Sequence, residues 1–183
     1  MGNKITLYHG TIYEFDKIDV TKGKGHKDFG RGFYTSRDIH HAERLASRNR
    51  SIEEERRALR GVKKSVTSWL YAFEFDLGNL AILNVKEFAA ADMEWMRFVV
   101  QGRESRNNAP QHEYDIVIGP TANDNTRAAI QTVIPLARGQ VLTDKAIEAL
   151  IALIEPGNLP RQFFFGTQRA ADLLRLRARR MIR

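Results

Sequence analysis

Three stretches of this 183-residue chain hold residue types that can do chemistry. The first is Leu7-Tyr8-His9-Gly10-Thr11, a histidine at the end of an alternating, β-rich run with a glycine behind it. An imidazole so placed can face a cleft, and glycine lets a ligand approach the backbone closely. The same pattern also suits a core or edge histidine that precedes a turn. The second is Lys27-Asp28-Phe29-Gly30-Arg31-Gly32-Phe33-Tyr34-Thr35-Ser36, where two glycines lead into an aromatic strand. They let the backbone pass close to something flat or crowded, with Tyr34 as either a ligand-facing or a core aromatic. The third runs from His112-Glu113-Tyr114-Asp115 through Ile116-Val117-Ile118-Gly119-Pro120 to Asn123-Asp124-Asn125. An acid at a strand start and a polar loop at its end are typical of a site rim, and equally of turns that satisfy their own backbone.

Other chemistries find less support. The chain has no cysteine, which removes disulfides, thiolate nucleophiles and thiolate metal sites together. His40 and His41 are adjacent, so on a helix they point different ways, and no His-Glu-x-x-His spacing occurs; a metal site is not expected. Neither the phosphate-loop lysine nor the dinucleotide-binding glycine spacing is present. A Ser-His-Asp triad survives a simple count, but no Gly-x-Ser-x-Gly elbow presents its serine.

The elements that must position these residues follow from local pattern. Strands are predicted at Ile5 to His9, Phe33 to Thr35, Trp69 to Asp76, Leu80 to Val85, Tyr114 to Ile118 and Gln162 to Phe165. Ser36 or Asp38 caps a polar helix running to Arg60, whose stretch from Asn49 to Lys64 is read either as helix or as a lid. Apolar spacing predicts a second helix over Phe88 to Val100. Asn125 or Thr126 starts a third toward Ala137, and Thr143 starts a fourth that ends near Glu155. Thr167 caps a basic C-terminal helix, about 167–183. Strands interrupted by helices, some strands adjacent, indicate one α+β domain over residues 1–183.

Composition sets the outer bounds. With 43% hydrophobic and 28% charged residues the chain can bury a real core. No stretch approaches the roughly 20 apolar residues of a membrane span, and the N-terminus lacks the apolar run of a leader, so a cytoplasmic protein is expected. The net charge is +7, concentrated at the end, where Arg161 to Arg183 holds seven arginines against Asp172. Such a tail attracts nucleic acid, an acidic partner or an anionic membrane, unless it is only the solvated face of a helix.

Taken in order, the segments LYHGT, KDFGRGFYTS, YAFEFDLGNLAILN and YDIVIGP resemble the ADP-ribosyltransferase superfamily. The branch is the histidine-tyrosine one, that of the poly-ADP-ribose polymerases and diphtheria toxin. More closely, residues 5 to 176 are similar to a bacterial family in that clan which shares KDFGxGFYT, a YDIVIGP-like strand with ANDN after it, and a late glutamine-aromatic strand. The resemblance implies a split, mixed β-sheet flanked by helices. It also implies cleavage of the bond between nicotinamide and ribose in NAD, through an oxocarbenium-like transition state that needs positioning and charge stabilisation.

By that resemblance His9 bonds the adenosine-side ribose, the Gly10 backbone pairs with the nicotinamide carboxamide, and Tyr34 stacks on the nicotinamide ring. Thr11, Gly32 and Thr35 stand beside these, and Arg31 or Lys27 meets the pyrophosphate. The third catalytic position departs from the superfamily's glutamate. Asp115 follows the polymerase order; Gln162 matches the closer bacterial family and is slightly preferred, with Glu113 third. A glutamine can hydrogen-bond a ribose but cannot act as a general base. The implied activity is mono-ADP-ribosylation of a protein or nucleic acid by a toxin-like effector, cytoplasmic or delivered into a target cell. An antitoxin or immunity protein would be its partner, and no membrane is involved. The alternatives are an NAD glycohydrolase and an inactive NAD- or nucleic-acid-binding module.

Overall fold

Alternation of apolar and polar residues builds the first strand, β1 (Lys4–Thr11), which turns Ile5 and Leu7 inward and Lys4 and Thr6 outward. The computed structural model describes residues 3–104, 112–122, 126, 128–130, 143–153 and 159–182. After β1 come β2 (Phe33–Ser36), α1 (Ile39–Ala58), β3 (Ser68–Asp76), β4 (Val85–Glu87), α2 (Met93–Glu104) and β5 (Ile116–Pro120). The chain continues with α3 (Asp144–Ala152), β6 (Arg161–Phe165), α4 (Gln168–Ala171) and β7 (Arg175–Ile182). The strands form a mixed sheet in the order β4-β5-β6-β2-β1-β3-β7, in which β4 and β5 are parallel and the other pairs antiparallel. This is an α+β fold.

The sheet is continuous over each half and narrow at its middle. β1 runs beside β3 along its whole length, whereas β1 and β2 share one residue pair, Tyr8↔Ser36. Residues on alternate rungs feed two cores. Leu7, Phe33, Phe73, Phe75, Ile116, Phe163 and Phe165 pack on one face. Phe164 and Val117 join Phe29, Phe88, Trp95 and Met96 on the other, under α2 and α3. Each fully buried phenylalanine contributes about 2 kcal/mol, so these rows dominate the apolar stabilisation. α1 covers the second face over β1 and β3 with only Ala42 and Ala46 buried. It is held by small residues and an Asp38 cap, whose carboxylate accepts from the His40 amide at 2.8 Å.

Three expectations change. The C-terminal helix is the largest correction: only Gln168–Ala171 is helical, and Arg175–Ile182 is an edge strand. The run Arg175-Leu176-Arg177-Ala178-Arg179 alternates with the period of a strand, and the free edge of β3 supplies the backbone partners. Leu80 to Val85 is not a strand. Asp76 accepts from the Gly78 amide at 2.9 Å and opens a 3-10 turn over Leu77–Ile82, leaving only Val85–Glu87 extended. The second helix begins five residues later than Phe88, because the Phe88 amide donates to Ile118 and Asp92 caps the first turn through the Trp95 amide. α1 extends to Ala58, so most of the stretch read as helix or lid is helix. The helix expected from Asn125 or Thr126 to Ala137, and the end of the fourth near Glu155, fall largely outside the described residues. Among the described residues no helix is long and apolar enough to cross a membrane.

Gly10 is where α1 comes closest to the sheet. A Cβ there would lie 1.8 Å from the Ala42 carbonyl oxygen, so backbone would have to move. Gly10→Ala is expected to cost about 3 kcal/mol, the upper end for overpacking, read as a lowered urea midpoint with unchanged slope. A variant as stable as the parent would show that α1 does not rest on β1 at this distance.

Candidate functional site

The site is built where the two halves of the sheet meet. Past the Tyr8↔Ser36 pair, His9 bridges the parting strands: its Nδ1 lies 2.7 Å from the Tyr34 carbonyl oxygen. A carbonyl only accepts, so Nδ1 donates and Nε2 keeps its lone pair. The ring stacks on Phe33 at 4.3 Å and meets the edge of Phe15 at 5.9 Å. Burial among these rings pulls its pKa down to about 4, outweighing the bond to Tyr34, so His9 is neutral at pH 7.

Tyr34 presents its ring on the other side, beside Phe164 at 4.9 Å. Its hydroxyl donates to the Gly30 carbonyl at 2.6 Å and accepts from the Phe29 amide at 3.1 Å. Burial, helped by the nearby Asp28 charge, pushes this phenol well above its ordinary range. The hydroxyl therefore pins the 27–30 turn, in which Gly30 has φ +82°.

That turn carries a buried carboxylate. Asp28 Oδ1 accepts from Arg103 Nε at 2.9 Å and from its Nη2. Asp28 Oδ2 accepts from the Ala122 amide and from Gln162 Nε2, both at 2.9 Å. Gln162 stands opposite Ser36 on one side and Gly119 on the other, and its Nε2 also donates to the Pro120 carbonyl at 3.2 Å. His112 Nε2, 3.0 Å from the Phe29 carbonyl, holds the turn from the other flank. Burial lowers the pKa of His112, and of His41 beside Arg44.

The expected site residues thus divide. His9, Tyr34 and Gln162 lie on the neighbouring strands β1, β2 and β6, with the His9 ring on the Phe33 face of the sheet and Tyr34 and Gln162 on the Phe164 face. Thr35 and Ser36 continue β2, their hydroxyls donating to the Phe163 and Arg161 carbonyls. Thr11 accepts from the Tyr13 amide, and Gly10 is closed against α1. Gly32 packs under Phe164, where a Cβ would meet the ring at 2.3 Å. Arg31 bends back onto the Gly23 and Thr21 carbonyls, so it braces its own loop. Lys27 belongs to the same loop, where its carbonyl accepts from the Gly30 amide at 3.0 Å.

Asp115 stands apart, at the opposite end of β5 and β6 from Gln162. Its carboxylate accepts from Thr167 Oγ1 at 2.6 Å, the Asn84 amide at 2.9 Å and Arg169 at 3.3 Å. Burial alone would raise its pKa, but these partners together hold it below the ordinary carboxylate range. Glu113 is exposed, and Asn123, Asp124 and Asn125 lie outside the described residues. Among the described residues no three histidine, aspartate or glutamate side chains stand close enough to hold a metal.

Residues 5–176 match a family described as "Protein of unknown function (DUF3990)". The chain belongs to the DUF3990 family. No curated protein and no solved structure matches it. Sequence reasoning about this DUF3990 chain placed Asp28 and His112 within candidate stretches without giving either a role, and did not single out Arg103. The one local signal was an acid set directly before Phe29 and Gly30 in a turn rich in lysine and glycine. Nothing in spacing links it to an arginine 75 residues away.

Because folding keeps His9 neutral while the unfolded chain titrates near 6.5, its contribution is complete above pH 6.5 and is lost as pH falls toward 4. Between pH 7 and 5 this DUF3990 chain is expected to lose about 2 kcal/mol through His9. His9→Gln should flatten the fall in melting temperature over that range; an unchanged slope would assign the effect to His41 and His112.

Proposed function

We propose that this DUF3990 chain is an NAD-dependent ADP-ribosyltransferase that moves ADP-ribose onto a protein or nucleic acid. One observation carries the reading. His9, Tyr34 and Gln162, the residues that the superfamily resemblance singles out, lie on three successive neighbours, β1, β2 and β6, at the narrow middle of the sheet. That arrangement sets a neutral imidazole on one face of the sheet and an aromatic ring and an amide on the other, around the point where β1 and β2 part, and there a ribose and a flat pyridinium would be held.

The chemistry assigned to each side chain follows from its state. His9 offers Nε2 as an acceptor, since Nδ1 is committed to Tyr34. Tyr34 supplies a ring face, its hydroxyl being spent on the turn. Gln162 binds a hydroxyl without removing its proton, so the acceptor nucleophile is deprotonated elsewhere or attacks the oxocarbenium ion unassisted. Toxin-like action restrained by an antitoxin or immunity protein belongs to the same proposal. The terminal arginines are a weaker guide to the acceptor than their number suggests: Arg177 pairs with Glu74, Arg179 with Asp16 and Glu14, and Arg180 with Glu43. A second reading, an NAD-binding module without turnover, is favoured by the burial of Gln162 and its bond to Asp28.

The test is lysate labelling with NAD marked on the adenylate side. Label on a macromolecule is expected, with Tyr34→Ala raising KM about tenfold, the scale of one lost ring contact. Gln162→Ala should instead lower kcat about tenfold or more, while Asp115→Ala weakens the fold and spares kcat. Nicotinamide release without label would mean a glycohydrolase, and binding with neither would mean the module.

A further inference from the structure

A buried glutamine amide can usually present either end to a ligand, because its oxygen and nitrogen exchange places by a half-turn. Gln162 has no such choice. The two groups beside its nitrogen are a carboxylate oxygen, Asp28 Oδ2 at 2.9 Å, and a carbonyl oxygen, Pro120 at 3.2 Å. Neither can donate: Asp28 is ion-paired to Arg103, and the Pro120 carbonyl already accepts from the Trp95 indole at 3.1 Å. Turning the amide over would set its oxygen against two acceptors. Both N–H groups of Gln162 are therefore spent, and among the described residues its Oε1 makes no hydrogen bond. Next along the chain, Thr121 Oγ1 is buried without a hydrogen-bond partner, the one such side-chain atom among the described residues. At this end of β5 and β6, Gln162 is thus left with an acceptor oxygen to offer, and the Thr121 hydroxyl beside it can donate or accept.

We propose that Asp28 is a positioning residue that locks Gln162 as an acceptor, so that the site selects a ligand that donates a hydroxyl there. The ligand's identity as NAD rests on the function proposed above; the locking of the amide does not. Arg103 takes part by pairing with Asp28 and orienting it, and Tyr34 by fixing the turn that carries it. The role is one of specificity. A sugar hydroxyl is accepted, whereas a phosphate or a deoxy position meets an oxygen with nothing to share.

Two measurements test this. The first compares NAD with an NAD lacking the 2′-hydroxyl on the nicotinamide ribose, in wild type and Asp28→Asn. Wild type is expected to lose about tenfold in kcat/KM with the deoxy compound, the scale of one hydrogen bond. In Asp28→Asn only the longer bond to the Pro120 carbonyl still favours the nitrogen, and the ratio should shrink to about twofold. A tenfold ratio kept by Asp28→Asn would overturn the proposal.

The second needs no NAD. Gln162→Glu sets two carboxylates face to face, so one keeps a proton in the folded state and stability is lost as pH rises. Its melting temperature relative to wild type should fall between pH 5 and 8, and the exchanged pair Asp28→Asn with Gln162→Glu should remove that fall. A Gln162→Glu protein that melts in parallel with wild type across the range would overturn the proposal. If wild type neither binds nor turns over NAD, the functional reading falls and this second measurement alone decides the role of Asp28. The same measurement decides it if Asp28→Asn does not fold.

Discussion

A carboxylate buried on both sides can persist only if every lone pair facing the protein is matched, and Asp28 meets that condition. Arg103 from the last turn of α2, the Ala122 amide beyond β5 and the Gln162 amide on β6 converge on its two oxygens. Removing Arg103 would leave the Asp28 charge uncompensated in the interior, typically a loss of about 3–5 kcal/mol. The requirement reaches outward from there. It fixes the 27–32 turn, and the turn sets the place of the Tyr34 hydroxyl. Gly102 must lack a side chain because a Cβ there would lie 2.6 Å from the Asp28 carbonyl oxygen.

The narrow join in the sheet is the second constraint. One backbone pair, Tyr8↔Ser36, links β1 to β2, so side chains complete what the ladder leaves undone. His9 does this from β1 and the stacked Phe15, Phe33 and Tyr71 rings close over it. A join held by side chains lets β1 and β2 part beyond one residue pair while the cores on either face stay buried. The cost is a histidine that cannot accept a proton at moderate acidity, which couples the integrity of the site to pH.

Charge at the C-terminus follows a different logic. β7 is an edge strand, and arginines along such an edge discourage pairing with other chains. Glu14, Asp16, Glu43 and Glu74, from three separate parts of the chain, answer those arginines. A net charge read from composition counts the cations correctly, but not how many are already paired.

Much of the fold was legible in the chain itself. Alternation identified β1 and β3, caps at Asp38 (offered beside Ser36), Thr143 and Thr167 marked helix starts, and the apolar run from Tyr114 to Ile118 identified a strand that folding buries completely. These succeed because period and capping are local, settled within a few residues of backbone. His9, Tyr34 and Gln162 were legible as types in an order. Tertiary structure alone decided the rest. The arginine-rich end became a strand because β3 had an unpaired edge to satisfy, a demand no local pattern records. Asp28 met Arg103 and Gln162 because the folded sheet brings distant segments within hydrogen-bond reach. Long-range charge pairing leaves no period in a sequence, only an acid among glycines and an arginine in a helix's last turn.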